Sequence, residues 1–175
     1  KNDDLWALYM MGYLHHMGLG TDQNLATAID YYKRAGRLDV PQALEVLGWL
    51  YIYGQGVEQE KRGGASLILK AAQLGLASAQ YDVGLMFLEG ENFEQNFEYA
   101  LHFVNLSEAQ GIANAKGTLG HMYQHGLGVE KDLEIALDYL QRGAAEGSAV
   151  AMFNLAGLYL EGIGVEQDEE VFLSL

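Results

Sequence analysis

The chain has 175 residues, half of them hydrophobic, enough to bury the core of an ordinary single domain and too apolar for a disordered tail. Ten basic against 24 acidic residues give a formal charge of −14, which argues against nucleic acid, whose binding rests on clustered Lys and Arg, and against an anionic membrane surface. With no cysteine there is no disulfide or thiolate chemistry, and no apolar run approaches membrane-spanning length.

The predicted elements are helices throughout. Apolar residues at helical spacing, with almost no charge, predict a first helix over 4–17, and the glycines of "GLG" at 18–20 end it. A second helix over 23–36 has a charged outer face and an apolar inner one. The same alternation predicts helices over 40–53 and 60–73, then 76–89 and 95–110, then 112–125 and 131–146, and finally 148–161. Within it, Gly63 and Gly64 predict a late start for the fourth helix, since each costs up to about 1 kcal/mol relative to Ala. The stretch "GENF" at 90–93 predicts a differently shaped turn, while Val57, Val129 and Val165 are expected to plug theirs. Only the beginning of one more helix follows, Asp168 to Leu175, where the acidic run "EQDEE" at 166–170 reads as solvent-facing charge favoured by the helix dipole. The opening "KNDDLW" lacks a start methionine and the end stops in mid-element, so the chain is expected to be a fragment of a longer array, and its compartment stays open.

These helices repeat. Gly12, Gly48, Gly84, Gly120 and Ala156 stand 36 residues apart, and Ala7, Ala43, Ala79, Ala115 and Ala151 keep the same interval five residues earlier. Gly18, Gly54, Gly90, Gly126 and Gly162 keep it six residues later. Constant spacing of this kind marks stacked units that bury their apolar faces only against neighbours. Small residues let helix axes approach, and Leu14, Leu50, Met86, Met122 and Leu158 are placed to fill the space between.

The run A-x-x-x-L-G-x-x-Y-x-x-G-x-G-V, followed by A-x-x-Y/W-Y-x-K/R-A-A and a Gly, resembles the Sel-1-like repeat family, a branch of the tetratricopeptide-type (TPR-like) helical repeats. Ala43 to Gly75, Ala115 to Gly147 and Ala151 to Val165 carry it most fully, and "AIDYYKRAG" at 28–36 carries its second half. The resemblance implies an all-α fold, a right-handed α-solenoid of antiparallel helix pairs. About five 36-residue repeats would form one domain over 1–175, at 4–39, 40–75, 76–111, 112–147 and, incomplete, 148–175. It also implies first helices lining a concave groove, and a role as adaptor or scaffold rather than enzyme.

Transferring the groove positions of such repeats gives Trp6, Tyr9, Tyr13, His16 and Met17, then Gln42, Glu45, Trp49, Ile52 and Tyr53. Ser78, Tyr81, Leu85, Leu88 and Glu89 follow, then Asn114, Gly117, His121, Gln124 and His125, then Val150, Phe153, Gly157, Leu160 and Glu161. Both tryptophans and several tyrosines fall in this set, residue types that favour interface hot spots. An aromatic stripe also serves as core, since helices hydrophobic all round bury both sides.

Other chemistry is weaker. His121 and His125 share a helix face, but no H-E-x-x-H glutamate or clear third ligand accompanies them, so no metal is expected. "GLGTD" and "GLGVEKD" follow helices and lack a P-loop Lys, which removes a phosphate site. No serine has a placed His and acid, so no catalytic residue and no cofactor are assigned. The expected function is a protein-interaction module that grips a peptide or protein on the concave face. The alternative is a structural segment that self-associates as a homodimer.

Overall fold

The computed structural model describes residues 2–164, and the expectations for Val165 and Asp168 to Leu175 lie outside them. Nine helices and no strand occur among the described residues: α1 (Asn2–Met17), α2 (Leu25–Gly36), α3 (Pro41–Tyr53), α4 (Lys61–Gln73), α5 (Ala77–Glu89), α6 (Phe97–Glu108), α7 (Ala113–His125), α8 (Leu133–Ala145) and α9 (Ala149–Glu161). The all-α class and the helix bounds follow the 36-residue register of the sequence. No described helix is long and apolar enough to cross a membrane.

One set of side chains starts every second helix. Asn24, Glu60, Asn96 and Asp132, again 36 apart, accept hydrogen bonds from the backbone N–H groups of Thr27, Gly63, Tyr99 and Ile135 at 2.8–3.0 Å, satisfying donors that have no partner within the helix. The residue before three of the four caps fastens the turn: the side-chain amides of Gln23, Gln59 and Gln95 donate to the carbonyls of His16, Ile52 and Leu88 at 2.8–2.9 Å. The first helices end on left-handed glycines such as Gly54 and Gly126.

The "GENF" turn has the same shape as the others, contrary to the expectation from its sequence. Asn92 occupies the place of the second glycine at φ 66°, beside Gly90 at φ 73°, and the N–H of Glu91 reaches the carbonyl of Met86 at 3.0 Å, as that of Gln55 reaches Leu50 in the "GQGV" turn. Asparagine tolerates this left-handed backbone, so the turn is kept without its glycine. Asp39, at φ 58°, likewise stands where later units have Gly75, Gly111 and Gly147.

The chain divides into two compact units, one of Lys1–Val83 with Asn92–Glu94, the other of Gly84–Glu91 with Gln95–Leu175. In the first, α1 packs on α2, α2 on α3 and α3 on α4. Its core holds Ala28, Ile29, Tyr32, Ala35, Ala43, Leu47 and Leu50, with Leu5, Leu8 and Val57 packed against it. A fully buried leucine contributes roughly 1.5–3 kcal/mol. Helix α4 begins at Lys61 rather than late. Glu60 caps it there by accepting from the Gly63 N–H, and Gly64 serves packing: a Cβ there would stand 2.5 Å from the carbonyl oxygen of Gly48 and 2.8 Å from Ile52 Cγ1, so Gly48 and Gly64 let α3 and α4 touch backbone to backbone. The propensity cost of Gly64 is the condition of that contact.

In the second unit, α6 packs on α7, α7 on α8 and α9, and α8 on α9. Gly84 meets Val104, and Gly120 meets Leu140, by the same small-residue device. Leu140, Ala151, Leu155 and Leu158 form its last core cluster. Lys116 is buried there, its ammonium 2.7 Å from Glu146 and 3.6 Å from Glu108, and Arg142 approaches Glu108 at 3.8 Å.

Candidate functional site

The residues expected in a groove lie on the first helices, and they separate by burial. On α1 the rings of Trp6 and Tyr9 are 5.2 Å apart, and Tyr9 continues to Tyr32 of α2 at 5.9 Å. His16 Nδ1 and the Tyr32 hydroxyl share a hydrogen bond of 3.3 Å. Tyr9 and His16 therefore turn partly inward to serve the buried Tyr32, while Trp6 (52 % exposed) and Tyr13 (37 %) stay in solvent. Burial pushes the Tyr32 hydroxyl far up, with Tyr9 and Tyr13 adding to it. Burial also raises Tyr9, helped by the charge of Glu45 on α3.

On α3, Trp49 and Tyr53 stack at 5.7 Å with ring planes 13° apart, and Tyr53 is the more open of the two. Beside them lie two carboxylates. Burial raises the pKa of Glu45, opposed in part by Ser78 of α5, and its Oε1 is buried without a hydrogen-bond partner among the described residues. Burial followed by the Glu45 charge pushes Asp82 of α5 up to about 6, with Trp49 beside it acting the other way. Neither carboxylate has an ion-pair partner among the described residues. Tyr81, also within the first unit, is half-buried. Asp82 escaped the sequence reading because it lies one residue off the assumed groove register. The available signal was an isolated acid in the otherwise neutral body of α5.

In the second unit Leu85 and Leu88 are half-buried on the end of α5. His121 and His125 of α7 stand 4.5 Å apart, ring to ring, and border a cleft of about 380 Å³ shared with Phe153, Asn154, Gly157 and Leu160 of α9. Phe153 is 80 % exposed, and nothing occupies the space where a Cβ on Gly157 would point. Burial, then the charge of His125, lowers His121 below the usual imidazole value. No group of three or more His, Asp or Glu able to hold a metal occurs among the described residues.

Two positions of the wider groove set belong to the interior instead. Ile52 is 4 % exposed and lies against Gly64, and Gly117 is buried where a Cβ would meet the backbone of Ala151 at 2.5 Å. Each successive helical residue turns by about a quarter-circle, so a stripe assigned by analogy includes neighbours that point inward.

The comparisons agree with this architecture. A family model described as Sel1 repeat matches residues 7–40, 41–76, 77–111, 119–148 and 149–171. A Sel1 repeat protein from Oxalobacter formigenes superposes with TM-score 0.88 at 28 % identity, covering 99 % of this chain and 71 % of that one. A protective antigen of uropathogenic Escherichia coli displaying an SLR fold gives 0.84 at 32 % identity, covering 96 % of this chain and 36 % of that one. An immunity protein of Pseudomonas aeruginosa shares the fold at TM-score 0.55 and 24 % identity, over 90 % of this chain and 59 % of its own. No curated protein matches the sequence.

Proposed function

Since the chain belongs to the Sel1 repeat family, whose members generally serve as protein-interaction and scaffold modules, we propose that it holds a protein partner on the face its first helices present, without catalysing a reaction on it. One observation carries the reading. Trp49 and Tyr53 stack at the surface beside Glu45 and Asp82, two largely buried carboxylates with no ion-pair partner among the described residues. Desolvating two neighbouring acids is unfavourable on its own, and an arriving Arg or Lys would relieve it while its stem or guanidinium lies on the aromatic rings. The partner segment is thus basic, in keeping with a net charge of −14 that would hasten its encounter.

The test is affinity capture with the intact chain and with the Trp49→Ala/Tyr53→Ala variant, both checked for native helicity. Partners held by the first and lost by the second support the reading. Unchanged capture by a folded variant counts against it. A second reading, self-association, is favoured by Phe153, whose ring stands in solvent at the mouth of the α7–α9 cleft. Sedimentation that shows a monomer over a wide concentration range removes it.

A further inference from the structure

Cations are scarce in this chain, ten Lys and Arg in 175 residues, yet three of them line one cleft. Lys33 and Arg37 at the end of α2, with Lys70 of α4, surround an opening of about 510 Å³ floored by Leu44, Leu47 and Leu67. It lies on the second-helix side of the first unit, away from the carboxylates and aromatics described above. No acidic residue lines it among the described residues. Gly36 keeps its floor clear, for a side chain there would press on Leu44 at 3.2 Å and Leu47 at 3.4 Å.

The charges differ in how they are engaged. Lys70 pairs with Asp39 at the rim. Lys33 lies 5.9 Å over the Tyr51 ring, and neither Lys33 nor Arg37 has an ion-pair partner among the described residues, although Arg34 beside them pairs with Asp30. Charges beyond about 8 Å are screened at physiological salt. A ligand seated in the cleft therefore feels these three cations more than the acidic remainder of the surface. Its volume falls within the range of about 300–1,000 Å³ typical of small-ligand clefts, and an apolar floor under a few charges is the usual composition of such sites.

We propose that this cleft binds an acidic peptide segment of a partner protein, with a large apolar side chain on the leucine floor and adjacent carboxylates on Lys33, Arg37 and Lys70. This is independent of the first-helix face, and it gives the chain two docking surfaces of opposite preference. The occupant follows from the complement: the floor demands an apolar group and the rim demands negative charge, with Asp39 as the internal competitor for Lys70.

Binding is measured by fluorescence anisotropy with a labelled peptide of sequence Asp-Glu-Leu-Glu-Phe, amidated at its C-terminus, at 50 and 300 mM NaCl. Its neutral counterpart Asn-Gln-Leu-Gln-Phe and its apolar-stripped counterpart Asp-Glu-Ala-Glu-Ala serve as controls. The acidic peptide is expected to bind at least tenfold more tightly than either and to weaken with salt. Lys33→Gln/Arg37→Gln should cost tenfold or more, and Asp39→Asn, which suits the same left-handed backbone, should tighten binding severalfold by releasing Lys70. Equal affinity for the neutral peptide, no loss in the double variant, or no saturable binding at millimolar peptide overturns the proposal. So does sedimentation showing that the double variant abolishes a dimer of the parent chain, which would seat a second copy there. Because Trp49 and Tyr53 take no part, Trp49→Ala/Tyr53→Ala should leave this affinity unchanged, which separates failure here from failure of the first-helix reading.

Discussion

Trp49 of α3 lies beside the carboxyl of Asp82 on α5, within the first unit, at a point where Glu45 adds a second negative charge. Trp49 draws Asp82 down only part of the way, because burial and Glu45 act in the opposite direction.

That imbalance sets a pH dependence. Asp82 titrates at about 6 in the fold against about 4 in an unfolded chain, so the fold binds its proton more tightly. Its contribution to stability is fully present below about pH 4 and lost as pH rises through about 6. Asp82→Asn keeps the size and shape of the side chain and removes the charge. It should stabilise the protein by about 2 kcal/mol at pH 7 and by little at pH 4; urea denaturation at the two values measures this, and an equal effect at both would refute the assignment.

Neighbouring glycines of α4 should respond very unequally to the same substitution. Gly64→Ala gains up to about 1 kcal/mol in helix propensity but forces a methyl group against the Gly48 carbonyl and Ile52. A net loss of roughly 2–4 kcal/mol is expected. Gly63→Ala meets only the Glu60 side chain that caps the helix, so a similar propensity gain offsets a weakened cap worth about 1 kcal/mol. The denaturation midpoint should move little for Gly63→Ala and sharply for Gly64→Ala.

Lys116 separates charge from volume. Lys116→Ala leaves a cavity and strips Glu108 of a close partner, for an expected loss of about 3 kcal/mol. Lys116→Met fills the space, and Arg142 still approaches Glu108, so its loss should stay below about 1.5 kcal/mol. Met152 already occupies the same register position one period later. Thermal unfolding of the two variants decides it, and equal losses would contradict the separation.

His121 should titrate below the usual imidazole value in an NMR pH series, since burial lowers it and the charge of His125 lowers it further. A depressed imidazole contributes stability that is present above its unfolded value of about 6.5 and lost as pH falls through the folded one. His125→Gln should restore the smaller share of the shift. A larger restoration would mean that charge, not burial, governs the site.

Helix positions were legible in the sequence because small residues and turn glycines recur without a slip, and packing at a backbone-to-backbone contact tolerates nothing larger than Gly. Gly64 illustrates what was not. Its cost was visible, while the Gly48 carbonyl that requires it belongs to another helix and leaves no local mark. Asn92 looked like a broken motif, yet its backbone takes the same left-handed form that glycine would. At the candidate site, the aromatic residues could be listed from spacing, but the inward turn of Tyr9 and His16 depends on one buried hydroxyl on α2, and the role of Asp82 depends on an indole on α3. Such relationships are tertiary and appear only when helices are placed together.

Asn24 with Gln23, Glu60 with Gln59 and Asn96 with Gln95 secure each turn using side chains drawn from that same turn and the helices on either side of it. A stretch of one period carries the fasteners of its own turn, so unequal recombination between the corresponding stretches of the gene could delete or duplicate one and leave these turn bonds intact. The length of the array is therefore a heritable variable that selection can adjust in whole steps, while the chemistry displayed on each step drifts independently.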